Sequence, residues 1–291
     1  MTAEAGHRLS GEATGKVNLF LRVLSRETAG YHGIETLFCR IALADDLVVQ
    51  RTGTAPDVMI DVTGVDTGPA EDNLAYRAAR MVLDATGARF GVHLSLTKRI
   101  PVAAGLGGGS ADAALALDLV NQLAGNAVPR GELANFAMRL GADVPFLLSR
   151  TSLALGWGHG ERLFRLPRLP AAPVLLLVPP VPIRTAEAYR WVDEARAGAA
   201  PRGALLLDGD SVSRWSDVAR MAGNDFESAV FGREPKVREA FEALARTHPL
   251  LCRMTGSGST LFAVYRSARD RDDARMMLGR KLGHTIATET A

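Results

Sequence analysis

Four glycines stand among the eleven residues from Ile100 to Ser110 in "IPVAAGLGGGSADAALALDLV" (100–120), and the chain then enters an alanine-rich helical pattern. A glycine loop that ends at a helix N-terminus offers backbone N–H groups without side-chain bulk, together with the positive end of the helix dipole. That combination suits a phosphate. The stretch does not match GxxxxGK[ST], whose lysine is missing, or GxGxxG, whose third glycine is missing, so on its own it fits an anion cradle or a tight turn equally. Phosphoryl transfer also needs a group that orients or deprotonates the attacking hydroxyl, and a cation to meet the charge in flight. Lys16, which opens "KVNLFLRVL" (16–24), and Asp143, in the loop after a glycine at 141, are candidates for those tasks. Each alone also reads as a solvated strand cap or a turn residue.

These residues need elements to hold them. Alternation in "KVNLFLRVL" puts Val17, Leu19, Leu21 and Val23 on one face of a strand and Lys16, Asn18, Phe20 and Arg22 on the other, so Lys16 and Asn18 point the same way. After "GYHGIE" (30–35), the stretches "TLFCRIAL" and "DLVVQR" read as further short strands of an antiparallel start. The spacing predicts a helix over 71–87, capped by Asp72 and ended by Gly87, and then a strand in which Val92, Leu94 and Leu96 face inward. Ser110 suits the N-cap of a helix starting at Ala111, with Leu115, Leu119 and Leu123 in one stripe. Residues 130–148 read as a helix with Gly141 as its stop. The second half alternates a short apolar strand (174–178), a helix in "TAEAYRWVDEAR", an uninformative stretch at 199–211, and helical patterns at 213–222, 235–246 and 268–282. "RMTGSGSTLFAVY" (253–265) is a second glycine-rich turn feeding a strand. The glycine- and proline-rich segment at 156–173 marks an expected division into domains 1–160 and 161–291.

Composition excludes several classes. Hydrophobic residues make up 47% and charged residues 23% of the 291, a soluble globular balance. The net charge of +2 is scattered and aromatics are only 6%, which argues against nucleic acid as a partner. Cys39 and Cys252 stand apart without CxxC spacing and the six histidines form no HxxxH pair, so neither a zinc framework nor a dedicated metal site is expected. No stretch reads as a signal peptide or a membrane span, and a cytoplasmic enzyme is expected.

Seven stretches fall in a telling order: "GKVNLFL" (15–21), "AGYHGIETLF" (29–38), "EDNLAYRAA" (71–79), "PVAAGLGGGSADAA" (101–114), "GADVPFLL" (141–148), "GNDFE" (223–227) and "MTGSGSTLFAVY" (254–265). Together they resemble the motifs of the galactokinase, homoserine kinase, mevalonate kinase and phosphomevalonate kinase (GHMP) superfamily. The combination of GKVNLFL, GYHGIETLF and GADVPFLL is similar to its 4-diphosphocytidyl-2-C-methyl-D-erythritol kinase family.

The resemblance implies an α+β, two-domain GHMP kinase fold: an N-terminal domain like the second domain of ribosomal protein S5, a ferredoxin-like C-terminal domain, and a site in the cleft between them. It implies ATP as co-substrate, Mg²⁺ on the phosphates, and transfer to the 2-hydroxyl of a small cytidine-diphosphate-linked methylerythritol, a step of non-mevalonate isoprenoid synthesis. Pro101, Val102, Ala103, Ala104, Gly105, Leu106, Gly107, Gly108, Gly109, Ser110 and Ala111 would cradle the triphosphate, with Asn73, Leu74 and Lys98 near the adenosine. Lys16 and Asp143 would act together on the substrate hydroxyl. Tyr31 and His32 would frame the cytosine, Phe38 and Tyr189 would wall it, and Asn18 would reach the erythritol end. A monomer or weak homodimer without membrane or nucleic-acid partner is expected. The rival readings are a superfamily kinase of mevalonate or homoserine, whose substrates carry no base for Tyr31 and His32 to frame, and a nucleotide sensor without turnover, which has no use for both Lys16 and Asp143.

Overall fold

The computed structural model describes residues 8–26, 32–53, 55–196, 209 and 212–291. Tyr31, and the stretch 199–211 except Gly209, lie outside the described residues. The chain divides into two compact units, Met1–Gly15 with Leu43–Val102 and Gly107–Arg150, and Lys16–Ala42 with Ala103–Leu106 and Thr151–Ala291. Neither unit is one stretch of sequence, because strands β1 (Arg8–Arg26) and β2 (His32–Thr52) contribute residues to both.

In the first unit, β3 (Val58–Thr63) runs parallel to β4 (Gly91–Thr97), which pairs antiparallel with residues 46–52 of β2. Val92, Leu94 and Leu96 are buried as their alternation demands. Helix α1 (Leu74–Thr86) is capped by Asn73, whose side chain accepts from the Ala75 amide at 2.9 Å, and ends at Gly87 in the left-handed region, φ +56°. Asp72, expected as the cap, sits instead in a single 3-10 turn just before it. Helix α2 (Gly108–Leu123) packs on α1. Both helices bury small side chains, Ala75, Ala78 and Ala79 on α1 and Ala111, Ala113, Ala114 and Ala116 on α2. The predicted helix at 130–148 is two: α3 (Arg130–Leu140) and, after Gly141, the short α4 (Val144–Leu148), both packed on α2.

In the second unit, residues 34–39 of β2 pair with β5 (Leu153–Gly158), which pairs with β6 (Arg162–Leu166). A four-stranded antiparallel sheet has the order β11-β7-β10-β9, with β7 Pro173–Val178, β9 Leu251–Met254, β10 Leu261–Val264 and β11 His284–Glu289. Helices α5 (Thr185–Arg196), α7 (Phe226–Arg233), α8 (Pro235–Ala245) and α9 (Ala268–Met277) accompany it, and α6 (Trp215–Met221) leads into the two-residue β8 (Gly223–Asn224), which runs parallel to β1. The sequence pattern carried no helix at α7. One core joins Leu21 and Val23 of β1 to Leu175, Leu177, Phe226, Val230, Leu244, Met254 and Leu261.

Leu94 is fully buried at the centre of β4. Leu94→Ala should therefore lower stability by about 2–5 kcal/mol, read as a lower denaturation midpoint in urea.

Candidate active site

Lys16 and Asn18 leave β1 on the same side, as the alternation requires, and both are buried. Lys16 Nζ donates to Asn18 Oδ1 at 2.8 Å, and the Lys16 amide donates to the Leu106 carbonyl at 2.9 Å. Asn18 Oδ1 also accepts from the Gly256 amide at 3.0 Å, while its Nδ2 donates to Thr36 Oγ1 at 2.8 Å. Thr255 Oγ1 accepts from the Asn18 amide and stands 3.2 Å from both Asn18 Oδ1 and the Gly105 carbonyl, so its one proton serves one of them at a time. A neutral carboxamide orients the ammonium without cancelling its charge. Asn18 was read as a substrate contact; both its polar atoms are engaged with protein partners, and it acts here as the joint between Lys16 and the 254–260 turn.

Asn224 fixes that turn from the other side, donating from Nδ2 to the carbonyls of Met254 at 2.7 Å and Gly256 at 2.8 Å. The glycine loop meets it backbone to backbone. A Cβ on Gly105, at φ +76°, would lie 2.4 Å from the Thr255 carbonyl oxygen, and a Cβ on Gly256 would lie 3.2 Å from the Gly105 Cα. Only glycine satisfies both the left-handed backbone and the contact at Gly105.

The expected start of α2 at Ala111 is corrected. Gly107, at φ +71° and ψ +20°, turns the chain directly into the helix, which begins at Gly108, so Ser110 is its third residue rather than its cap. The first intrahelical bond is Ala111 N to Gly107 O at 2.8 Å, and no side chain caps the end. The amides of Gly108, Gly109 and Ser110 therefore have no acceptor within α2. Leu74 lies beside this turn, since a Cβ on Gly109 would come 3.8 Å from Leu74 Cδ1, and the Ser110 hydroxyl would stand 3.8 Å from a Cβ on Gly141. Asp143 follows Gly141 and leads into α4, so the same unit brings its loop to the first turn of α2. Lys16 belongs to the other unit.

Beneath that turn lies a buried ionic cluster. Lys98 Nζ donates to Asp45 Oδ2 and, at 2.6 Å, to Asp112 Oδ2. Asp45 Oδ1 also accepts from the amides of Arg99 and Ile100. Lys98 was read as a neighbour of adenosine; its side chain is 2% exposed and its ammonium is held by these two carboxylates. Burial pushes the Asp112 carboxyl up to about 7, against the pull of Lys98 and with a further push from Asp45. The sequence reading missed Asp45; the doubled aspartate in "ADDL" (44–47) was its only trace.

His32 lies at the start of β2, its ring stacked on Tyr189 of α5 with centroids 4.9 Å apart and planes 16° apart. Its Nε2 is 2.7 Å from Asp193 Oδ1, one helical turn beyond Tyr189, and Phe226 meets Tyr189 edge-on at 5.0 Å. The structure thus brings His32 and Tyr189 together and adds Asp193, which the sequence reading missed. Phe38 is 1% exposed and packed so closely on Gly156 that a Cβ there would lie 2.7 Å from its ring, which makes it core.

Comparison with known proteins identifies the fold and the family. Residues 73–150 match the family described as GHMP kinases N terminal domain, and residues 203–284 match GHMP kinases C terminal. The chain is 38% identical, over 94% of its length and 87% of the relative's, to the 4-diphosphocytidyl-2-C-methyl-D-erythritol kinase of Solibacter usitatus (strain Ellin6076). It superposes with a TM-score of 0.81, at 33% identity and covering 97% of this chain and 99% of the other, on a crystal structure of 4-(cytidine 5'-diphospho)-2C-methyl-D-erythritol kinase. Homoserine kinase from Cytophaga hutchinsonii shares the fold alone, at 18% identity and a TM-score of 0.66 over 100% of this chain and 96% of that one.

Gly105→Ala tests the backbone contact. It should destabilise the protein by about 1–3 kcal/mol through the left-handed φ and the carbonyl clash, seen as a lower Tm. An unchanged Tm would mean that the two turns do not meet as described.

Proposed function

The chain belongs to the 4-diphosphocytidyl-2-C-methyl-D-erythritol kinases of the GHMP superfamily and phosphorylates that alcohol with ATP, and from this premise we propose that Lys16 and Asp143 carry the transfer while the loop 101–111 holds the triphosphate. The observation that carries the residue assignment is the first turn of α2: three amides without intrahelical acceptors, on glycine and serine, with the Asp143 loop beside them. Backbone donors and the helix dipole stabilise phosphate charge there.

In this reading the 2-hydroxyl oxygen attacks the γ-phosphorus, the bond to the ADP oxygen breaks, and the hydroxyl proton passes to the Asp143 carboxylate. The Lys16 ammonium, oriented by Asn18 Oδ1, stabilises the transferring charge. Asn18 thereby serves the substrate through Lys16. Asn73 and Leu74, at the start of α1, take the adenosine side of the loop. His32 and Tyr189 take the cytosine with Tyr31, and the stack they already form is the kind of flat surface a base needs. The base also separates this reading from the mevalonate and homoserine alternatives.

Among the described residues no group of three or more His, Cys, Asp or Glu side chains could hold a metal ion. In this reading Mg²⁺ is the counterion that ATP brings, and no step is assigned to it. No helix among the described residues is long and apolar enough to cross a membrane. The reading keeps the protein in the cytoplasm as a monomer or weak homodimer.

An ADP-release assay with ATP, Mg²⁺ and the cytidylyl alcohol, mevalonate or homoserine should show turnover with the first alone; preference for either rival would overturn the substrate. Asp143→Asn should lower kcat by about 10²–10⁴ with folding intact. Near-normal turnover would remove Asp143 from the proton transfer.

A further inference from the structure

The Asp45, Lys98 and Asp112 cluster has no part in the transfer step, yet it sits directly under the turn assigned to phosphate. A Cβ on Gly108 would lie 3.3 Å from Lys98 Nζ. Asp112 follows Gly108 by four residues, one turn along the same side of α2. The cluster sets one cation against two carboxylates. Asp45 is fully buried and accepts from three N–H groups, but Asp112 has Oδ2 on Lys98 and an Oδ1 without any hydrogen-bond partner, at 2% exposure. A buried carboxylate oxygen without a donor is unfavourable when charged.

We propose that binding of the nucleotide phosphates at the first turn of α2 is coupled to uptake of a proton by Asp112. The ionised cluster carries a net negative charge one turn from where the phosphates add more, and protonation of Asp112 removes it. The charges acting on Asp112 are Lys98, from the segment after β4, and Asp45, from β2. The buried faces of α1 (Ala75, Ala78, Ala79, Val82, Leu83) and α3 (Leu133, Phe136, Ala137, Leu140) are apolar, and α4, "VPFLL", has no ionisable side chain. The proposal rests on the reading of 105–111 as a phosphate site.

The sign follows from the carboxyl at about 7 in the free protein. Phosphate nearby disfavours the carboxylate, so the bound state keeps the proton to higher pH. Below about pH 6 both states are protonated and affinity does not change through this group. Above 7 the bound state holds a proton that the free state has lost, and affinity falls as pH rises, with a limiting slope of about tenfold per pH unit.

The test is calorimetric titration of the full chain with the β,γ-imido analogue of ATP and Mg²⁺, in buffers of different ionisation enthalpy, from pH 6 to 9. Wild type should take up a proton fraction approaching one at pH 8 beyond the nucleotide's own, and Asp112→Asn, neutral at every pH, should not. The variant should bind roughly tenfold more tightly than wild type at pH 8 and equally at pH 6. Asp112→Glu should restore the uptake, which a merely structural role would not require. Equal uptake and parallel pH profiles in wild type and Asp112→Asn would overturn the coupling and leave the phosphate site standing. Failure of wild type to bind the analogue at all would overturn that site and the coupling with it. Should Asp112→Asn unfold, wild-type uptake no greater than the free analogue's own titration overturns the proposal.

Discussion

The carboxamide of Asn18 joins the Lys16 ammonium, the amide of Gly256 and, through Thr255, the carbonyl of Gly105. Its oxygen gathers the donors and its nitrogen is tied to Thr36, which is itself bonded to the β1 backbone at Phe20. A buried amide has a limited set of donors and acceptors, and once all are engaged the group has one orientation. The position of the ammonium is thus set by β1, by the glycine loop and by the 254–260 turn together.

Burying Lys16 and Asn18 costs their hydration, which their hydrogen bonds offset. The second cluster is satisfied less evenly. Both oxygens of Asp45 have donors, whereas Asp112 retains one oxygen without a donor, and its carboxyl answers by holding its proton more tightly. The two clusters therefore differ in kind. Asn18 is neutral and locks a geometry, while Asp112 is ionisable and carries a charge that its surroundings can turn on or off.

Local pattern made most elements legible and few of their long-range partners. Alternation in 16–24 and 91–97 placed Lys16 beside Asn18 and buried Val92, Leu94 and Leu96, because a strand's period is independent of what packs on it. The start of α2 was misread because Ser110 is a good cap by type, while the backbone of Gly107 supplies the turn earlier. Asp45 and Asp193 could not be read at all. They lie 53 residues from Lys98 and 161 from His32, and no local period records such a pairing. Roles for Lys98, Asn18 and Phe38 drawn from resemblance placed them at the ligand. Their side chains are buried among protein partners: Lys98 against Asp45 and Asp112, Asn18 against Lys16, Thr36 and Gly256, and Phe38 against Gly156 with the Lys16 ammonium 5.7 Å from its ring centroid. A sequence reading also cuts a chain only at points along it, whereas here β1 and β2 serve both units.

The four glycines of the loop separate by the same physical criterion. Gly105 and Gly107 need left-handed backbone, and a Cβ on Gly105 would strike the Thr255 carbonyl. Gly108 would place a Cβ 2.9 Å from Ile100 Cγ2. Gly109 is under neither constraint: its φ is not in the left-handed region and a Cβ would find only Leu74 Cδ1, at an ordinary 3.8 Å. Glycine inside a helix is less stable than alanine by roughly 0.5–1 kcal/mol, so this residue weakens α2 without relieving any strain within the protein. What its missing side chain does provide is open approach, from outside, to the amides of the first turn. Three of the glycines are thus explained by the fold around the loop, and the fourth by the phosphate that the proposed function puts at this turn.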